Sequence, residues 1–145
     1  MRRIAVQEAD FDPGTLLGAL EALGGGAVAS FTGLVRGDGG LKAMQLDHYP
    51  AMTDQAMAAI ADAAEARWPL LGLVAVHRVG MLHPGERIVF VGTASAHRAA
   101  ALEACHFLID WLKTDAPFWK KEHFEGASRW VEARENDAAA TARWT

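Results

Sequence analysis

Residues 87–117 read RIVFVGTASAHRAAALEACHFLIDWLKTDAP, and the fold turns on how that stretch divides. Its opening, 87–93, is rich in β-branched and aromatic residues and reads as a strand. From 96 to 113 the period changes. Leu102, Cys105, Leu108, Ile109 and Leu112 fall on one side of a helix. Glu103, His106, Asp110 and Lys113 form a polar stripe on the other. Ser95 is placed to cap this helix. Asp115-Ala116-Pro117 ends it, because the residue before a proline avoids helical backbone.

Working outward, 73–79 reads as another strand, joined to 87–93 through His83-Pro84-Gly85-Glu86. Upstream, 2–8 reads as a strand. Asp12-Pro13 then opens a helix with Asp as N-cap and Pro in the first turn. Leu16, Leu17, Leu20 and Leu23 give its apolar stripe, and Gly24-Gly25-Gly26 stops it. Residues 27–36 and 41–49 read as strands around the turn Gly37-Asp38-Gly39-Gly40, paired as a hairpin. Pro50 breaks the second of these. Thr53 caps a helix running to Trp68, with Met57, Ile60, Ala61 and Ala64 inward. Residues 129–134 read as a last strand, followed by a helical or loose tail from about 135. The order is that of an α+β sandwich rather than a doubly wound sheet, in one domain spanning 1–145.

Composition excludes several functions. The chain has 145 residues, 14 Lys and Arg against 18 Asp and Glu, and a formal charge of −4. A general nucleic-acid binder would be basic. The single cysteine forbids an internal disulfide, a CxxC redox pair or a cysteine zinc site, and fits a reducing, cytoplasmic setting. The longest apolar stretch, 68–76, is less than half the roughly 20 residues of a membrane span. The six histidines show neither HxH nor HExxH spacing, so no metal site is expected. P-loop, GxGxxG and GxSxG patterns do not occur.

What remains is a set of cations. His97 and Arg98 sit in the first turn of the long helix, where the dipole opposes positive charge. A bound anion would reverse that argument. The plain alternative is that both point into water. Lys113 suits a last turn and on pattern alone reads as a solvated lysine. Phe118-Trp119-Lys120-Lys121 reads either as an anion-binding edge with apolar walls or as an amphipathic segment. Arg36 precedes the glycine-rich loop and alone says little. Cys105, on the apolar side, reads as a buried, inert thiol.

Four segments carry a resemblance: FTGLVRG (31–37), LDHYPAMT (46–53), the stretch 77–122 from HRVG to FWKKE, and RWVEAR (129–134). Over nearly the whole chain they resemble the large, catalytic subunit of molybdopterin synthase. Asp47, Ala51 and Leu34 depart from the residues expected there. The resemblance implies an α/β hammerhead-type fold with an added antiparallel sheet. It implies conversion of cyclic pyranopterin monophosphate to molybdopterin, with two dithiolene sulfurs inserted. The sulfur donor would be the C-terminal Gly-Gly thiocarboxylate of a small ubiquitin-like partner. A homodimer of this chain would sit inside a heterotetramer, with no resident cofactor. Lys113 and Lys120 take the catalytic positions. Arg36, His97, Arg98, Lys121, Glu122, Arg134 and Phe31 take substrate-pocket positions. The alternative is a non-catalytic dimeric scaffold that docks the sulfur carrier, which loss of the lysines would have favoured.

Overall fold

The computed structural model describes residues 1–131 and 142–144. Strand β1 (Arg2–Gln7) leads to α1 (Pro13–Glu21), then β2 (Ala27–Leu34), β3 (Ala43–His48), α2 (Pro50–Arg67), β4 (Leu70–Arg78), β5 (Gly80–Leu82), β6 (Arg87–Ser95), α3 (Arg98–Thr114), β7 (Phe118–Phe124) and β8 (Ala127–Val131). The strands form two four-stranded sheets, β1-β4-β6-β2 and β5-β3-β7-β8. In the first, β1 and β4 run parallel and the other pairs antiparallel. The second is antiparallel throughout. The α+β class and the added antiparallel sheet agree with the sequence reading.

The first sheet is covered on both faces, so its central strands are apolar on both. One face of β4 and β6 presents Val74, Val76, Phe90 and Ala94 to Leu16 and Leu20 of α1. The other presents Leu73, Ala75, Val89 and Val91 to a cluster containing Met57, Ala61 and Ala64 of α2 and Ala101, Cys105 and Leu108 of α3. Close approach of α1 depends on Gly92, where a Cβ would lie 2.6 Å from Leu20 Cδ1 and 2.9 Å from Phe90 Cε1. The Asp12 cap is as expected: its Oδ1 accepts from Gly14 N at 3.2 Å, with Pro13 at the start of α1.

Four expectations need correction. Residues 27–36 and 41–49 are not a hairpin. β2 pairs with β6, while β3 lies in the second sheet beside β5 and β7. Val35 is tied to the 83–86 turn, donating to Glu86 O and accepting from Gly85 N. The chain then leaves one sheet for the other through 37–42. Ser95 ends β6 rather than capping α3, and its hydroxyl donates to Pro69 O. His97 is the cap residue, without a side-chain bond. Thr53 lies one turn inside α2, donating to Tyr49 O, because Pro50 already occupies the first helical position. Leu102, read on the apolar side of α3, is exposed, and Phe107 is buried instead.

The segment from Phe118 to Phe124 is a full strand that the sequence reading left unassigned. The last strand is Ala127–Val131, and residues 132–134 of the expected strand lie outside the described residues, as does most of the expected tail. Among the described residues no helix is long and apolar enough to cross a membrane.

Candidate active site

Where β2 ends, a β-bulge between Gly33 and Leu34 turns the chain out of the first sheet. The second sheet approaches there, and the end of α3 closes the gap. Between them lies a cleft of about 560 Å³. Phe31, Thr32, Gly33 and Leu34 line it from β2, Arg36 and Asp38 from the following loop, Lys113 from α3, and Lys120 and Glu122 from β7. Leu41, Met44 and Ile88, all buried, form an apolar floor. Gly33 keeps the wall thin: a Cβ there would meet Val89 Cγ1 at 2.7 Å.

Five sequence-predicted residues thus meet in one cleft: Phe31, Arg36, Lys113, Lys120 and Glu122. Alternation explains the β7 contribution. Lys120 and Glu122 point to one face of the strand, and Lys121 to the other. Lys121 instead stands 5.3 Å from the Trp130 ring centroid, outside the cleft. His97 and Arg98 are exposed at the opposite end of α3. At 1.5 Å per residue, Arg98 lies about 22 Å along the helix from Lys113. They do not reach this cleft within one chain. Arg134 lies outside the described residues.

The electrostatics are cationic. Arg36, Lys113 and Lys120 face two acids, and both acids are engaged. Asp38 lies 3.5 Å from Arg36. Glu122, largely shielded, accepts from Arg129 Nε at 3.1 Å, with Arg129 Nη2 also at 3.1 Å. Arg129 went unremarked in the sequence although it lies in the RWVEAR segment. Its position opposite Glu122 becomes visible only once the β7–β8 register is known. An apolar floor with a cationic rim suits a flat, anionic ligand.

Two further groups bear on the chemistry. Cys105 is buried among the core of α3, with Sγ 3.8 Å from Val91 O. Burial pushes its thiol up to about 11. It is not a nucleophile at neutral pH. Behind the lysines, His77 stacks on Phe118 with ring centroids 4.1 Å apart and planes 19° apart. Sequence reasoning missed His77. The available signal was a histidine in the inward row Leu73, Ala75, His77.

Comparison with known proteins decides the family. The model of the family described as MoaE protein matches residues 6–115. The chain belongs to the MoaE family. It is 56% identical to the molybdopterin synthase catalytic subunit of Pseudomonas aeruginosa, covering 97% of each chain. Among solved structures it is similar to the molybdopterin biosynthesis MoaE protein of Burkholderia ambifaria, with TM-score 0.85, 47% identity, and coverage of 99% of this chain and 98% of that one. A molybdopterin synthase from Staphylococcus aureus aligns with TM-score 0.79 at 28% identity, over 90% of this chain and 96% of that one. The family match stops before β7, whereas the Pseudomonas relative, at 97% coverage, extends across it. The MoaE resemblance seen in the sequence therefore holds along the part of the chain that carries both cleft lysines.

Proposed function

We propose that the chain is the catalytic subunit of a molybdopterin synthase, acting as a cytoplasmic sulfurtransferase on cyclic pyranopterin monophosphate. One observation carries the reading. Lys113 and Lys120 come from different elements, yet the fold sets them in one cleft with Arg36 and Phe31. Arg36 and the lysines suit the substrate's phosphate through charge-assisted hydrogen bonds. Phe31 and the floor of Leu41, Met44 and Ile88 suit a pterin ring.

The sulfur must come from outside the chain. Its one cysteine is buried, with its thiol at about 11. A small partner ending in a Gly-Gly thiocarboxylate supplies the sulfur in this reading, and its narrow tail fits an open cleft beside Gly33. In this reading the thiocarboxylate sulfur bonds to a substrate carbon, displacing an oxygen substituent, and water then adds to the acyl carbon. The acyl C–S bond breaks, leaving the sulfur on the substrate and a carboxylate on the carrier, with negative charge developing at the acyl oxygen and on the departing sulfur. Lys113 and Lys120 stabilise that charge or shuttle the proton. No resident cofactor is invoked. His97 and Arg98, about 22 Å from Lys113 along α3, serve the cleft of a second copy in a homodimer. Arg134 remains a proposed pocket residue by resemblance to the family.

The test is dithiolene formation from purified chain, thiocarboxylated carrier and pyranopterin substrate. Lys113→Ala should lower kcat by about 10²-fold or more, the size of a lost charge-stabilising group. Lys113→Arg should recover part of it if charge alone matters. Near wild-type turnover by Lys113→Ala would refute the assignment. Carrier binding without any turnover by the wild-type chain would favour the scaffold reading.

A further inference from the structure

We propose that His77 is a positioning residue for the cleft: its ring, laid flat against Phe118, fixes where β7 holds Lys120 relative to Lys113. The proposal rests on reading those two lysines as the reacting groups.

The connectivity makes Phe118 the fixed point between them. Lys113 lies in the last turn of α3, and the chain passes through Asp115, Ala116 and Pro117 to Phe118, the first residue of β7. Lys120 follows two residues later, on the same face of the strand. Phe118 meets two histidines. His77, from the first sheet, stacks on it at 4.1 Å. His48, from the second sheet, lies 6.1 Å away at 42°. Both imidazoles are anchored. His77 Nδ1 donates to Arg78 O at 2.8 Å, and a carbonyl only accepts, so the ring proton sits on Nδ1. His48 Nδ1 lies 3.1 Å from Thr53 Oγ1, whose hydroxyl donates to Tyr49 O.

A leucine would fill the row of Leu73 and Ala75 as well, but it has neither a flat face nor a bond to the backbone at Arg78. Histidine supplies both without bringing charge to the wall. Burial holds His77 down to about 4, and Lys113 from α3, His48 from β3 and Lys120 from β7 push the same way. Only the Arg78 carbonyl on its own strand opposes them. At neutral pH His77 is therefore uncharged: the ladders to β3 and β8 place β7 in its sheet, and its first residue meets the other sheet through ring stacking rather than through charge.

Two variants of the full chain separate the elements of the argument. His77→Gln keeps a donor and loses the flat ring. His77→Phe keeps the ring and loses the donor. The first measurement needs no substrate: trace acetylation followed by mass spectrometry gives the reactivity of Lys113 and Lys120 against exposed Lys42 as the internal standard. The second is kcat and KM for dithiolene formation. In His77→Gln, Lys120 reactivity should shift at least about threefold, and kcat should fall about tenfold or more with KM little changed, the pattern of a misplaced group. His77→Phe should stay within about threefold of wild type on both measures. A folded His77→Gln protein with wild-type lysine reactivity and kcat overturns the proposal. Equal losses in both variants also overturn it, because a retained flat ring would then not preserve the position of Lys120. Should His77→Gln not fold, Phe118→Leu removes the same stack from the other side and is judged by the same outcomes. If the wild-type chain makes no dithiolene, the functional reading fails, and lysine labelling still decides the positioning.

Discussion

Acidification should weaken this fold through His77. In the unfolded chain its imidazole titrates near 6.5, and in the folded chain at about 4. Desolvation is the main cause, with Lys113, His48 and Lys120 adding repulsion against the Arg78 carbonyl's opposing pull. Between those two values the unfolded chain binds a proton that the folded chain refuses. The stabilisation is therefore complete above about pH 6.5 and is lost as pH falls toward 4. At about 1.4 kcal/mol per pKa unit, the gap is worth roughly 3 kcal/mol. That is a large share of the roughly 5–15 kcal/mol typical of a domain. The assay is urea unfolding followed by tryptophan fluorescence at several pH values from 7.5 to 4, on wild type and His77→Phe. Two carboxylates held low by local hydrogen bonds, Asp12 and Glu86, lose stability in the same direction at the acid end. Both proteins carry them, so they cancel in the difference. Wild type should lose about 3 kcal/mol more than the variant across the window. Parallel curves, or a His77 ring proton titrating near 6.5 by NMR, would refute the reasoning.

Three other outcomes follow from the packing. Gly92→Ala should destabilise by about 1–3 kcal/mol in thermal unfolding, because the added methyl meets Leu20 and Phe90 within 3 Å. Trp144 lies edge-on to Trp68, His106 and Phe107, and its indole donates to Asp110 at 2.7 Å. Trp144→Ala should cost about 2 kcal/mol by urea titration, less than a fully buried tryptophan would. Cys105, at about 11, should react with a thiol reagent at pH 8 about 10²-fold more slowly in the native protein than in urea. Fast native labelling would mean that the α3 core opens readily.

The legible parts of the fold were those with a strong local signal. Asp12-Pro13 marks a helix start whatever surrounds it, and the spacing of Cys105, Leu108 and Leu112 fixes the inward side of α3. Pairing was not legible. Residues 27–36 and 41–49 look like a hairpin because hairpins are the default for adjacent strands. Yet Val35 finds its backbone partners at residues 85 and 86, and no local pattern announces that. The 118–124 strand was hidden for a related reason. Its Phe-Trp-Lys-Lys run has no two-residue alternation, since both of its faces are amphipathic.

The same distinction governs the site. Residue identities came from motifs, but only geometry sorts them. Lys120 and Lys121 are equivalent as letters, and one step of strand alternation puts the first in the cleft and the second against Trp130. Lys113 and Arg98 share a helix, and its length sets them about 22 Å apart. Any role for Arg98 at a cleft therefore requires a second copy of the chain. The charge balance resolves in the same way. A formal −4 overall coexists with a cleft that gathers Arg36, Lys113 and Lys120 and whose two acids, Asp38 and Glu122, are each engaged by an arginine. An anionic substrate and an anionic thiocarboxylate tail would both be drawn to that cleft. In the proposed reaction no thiol of the chain competes with the carrier's sulfur there, because Cys105 is buried in the core of the same helix that presents Lys113.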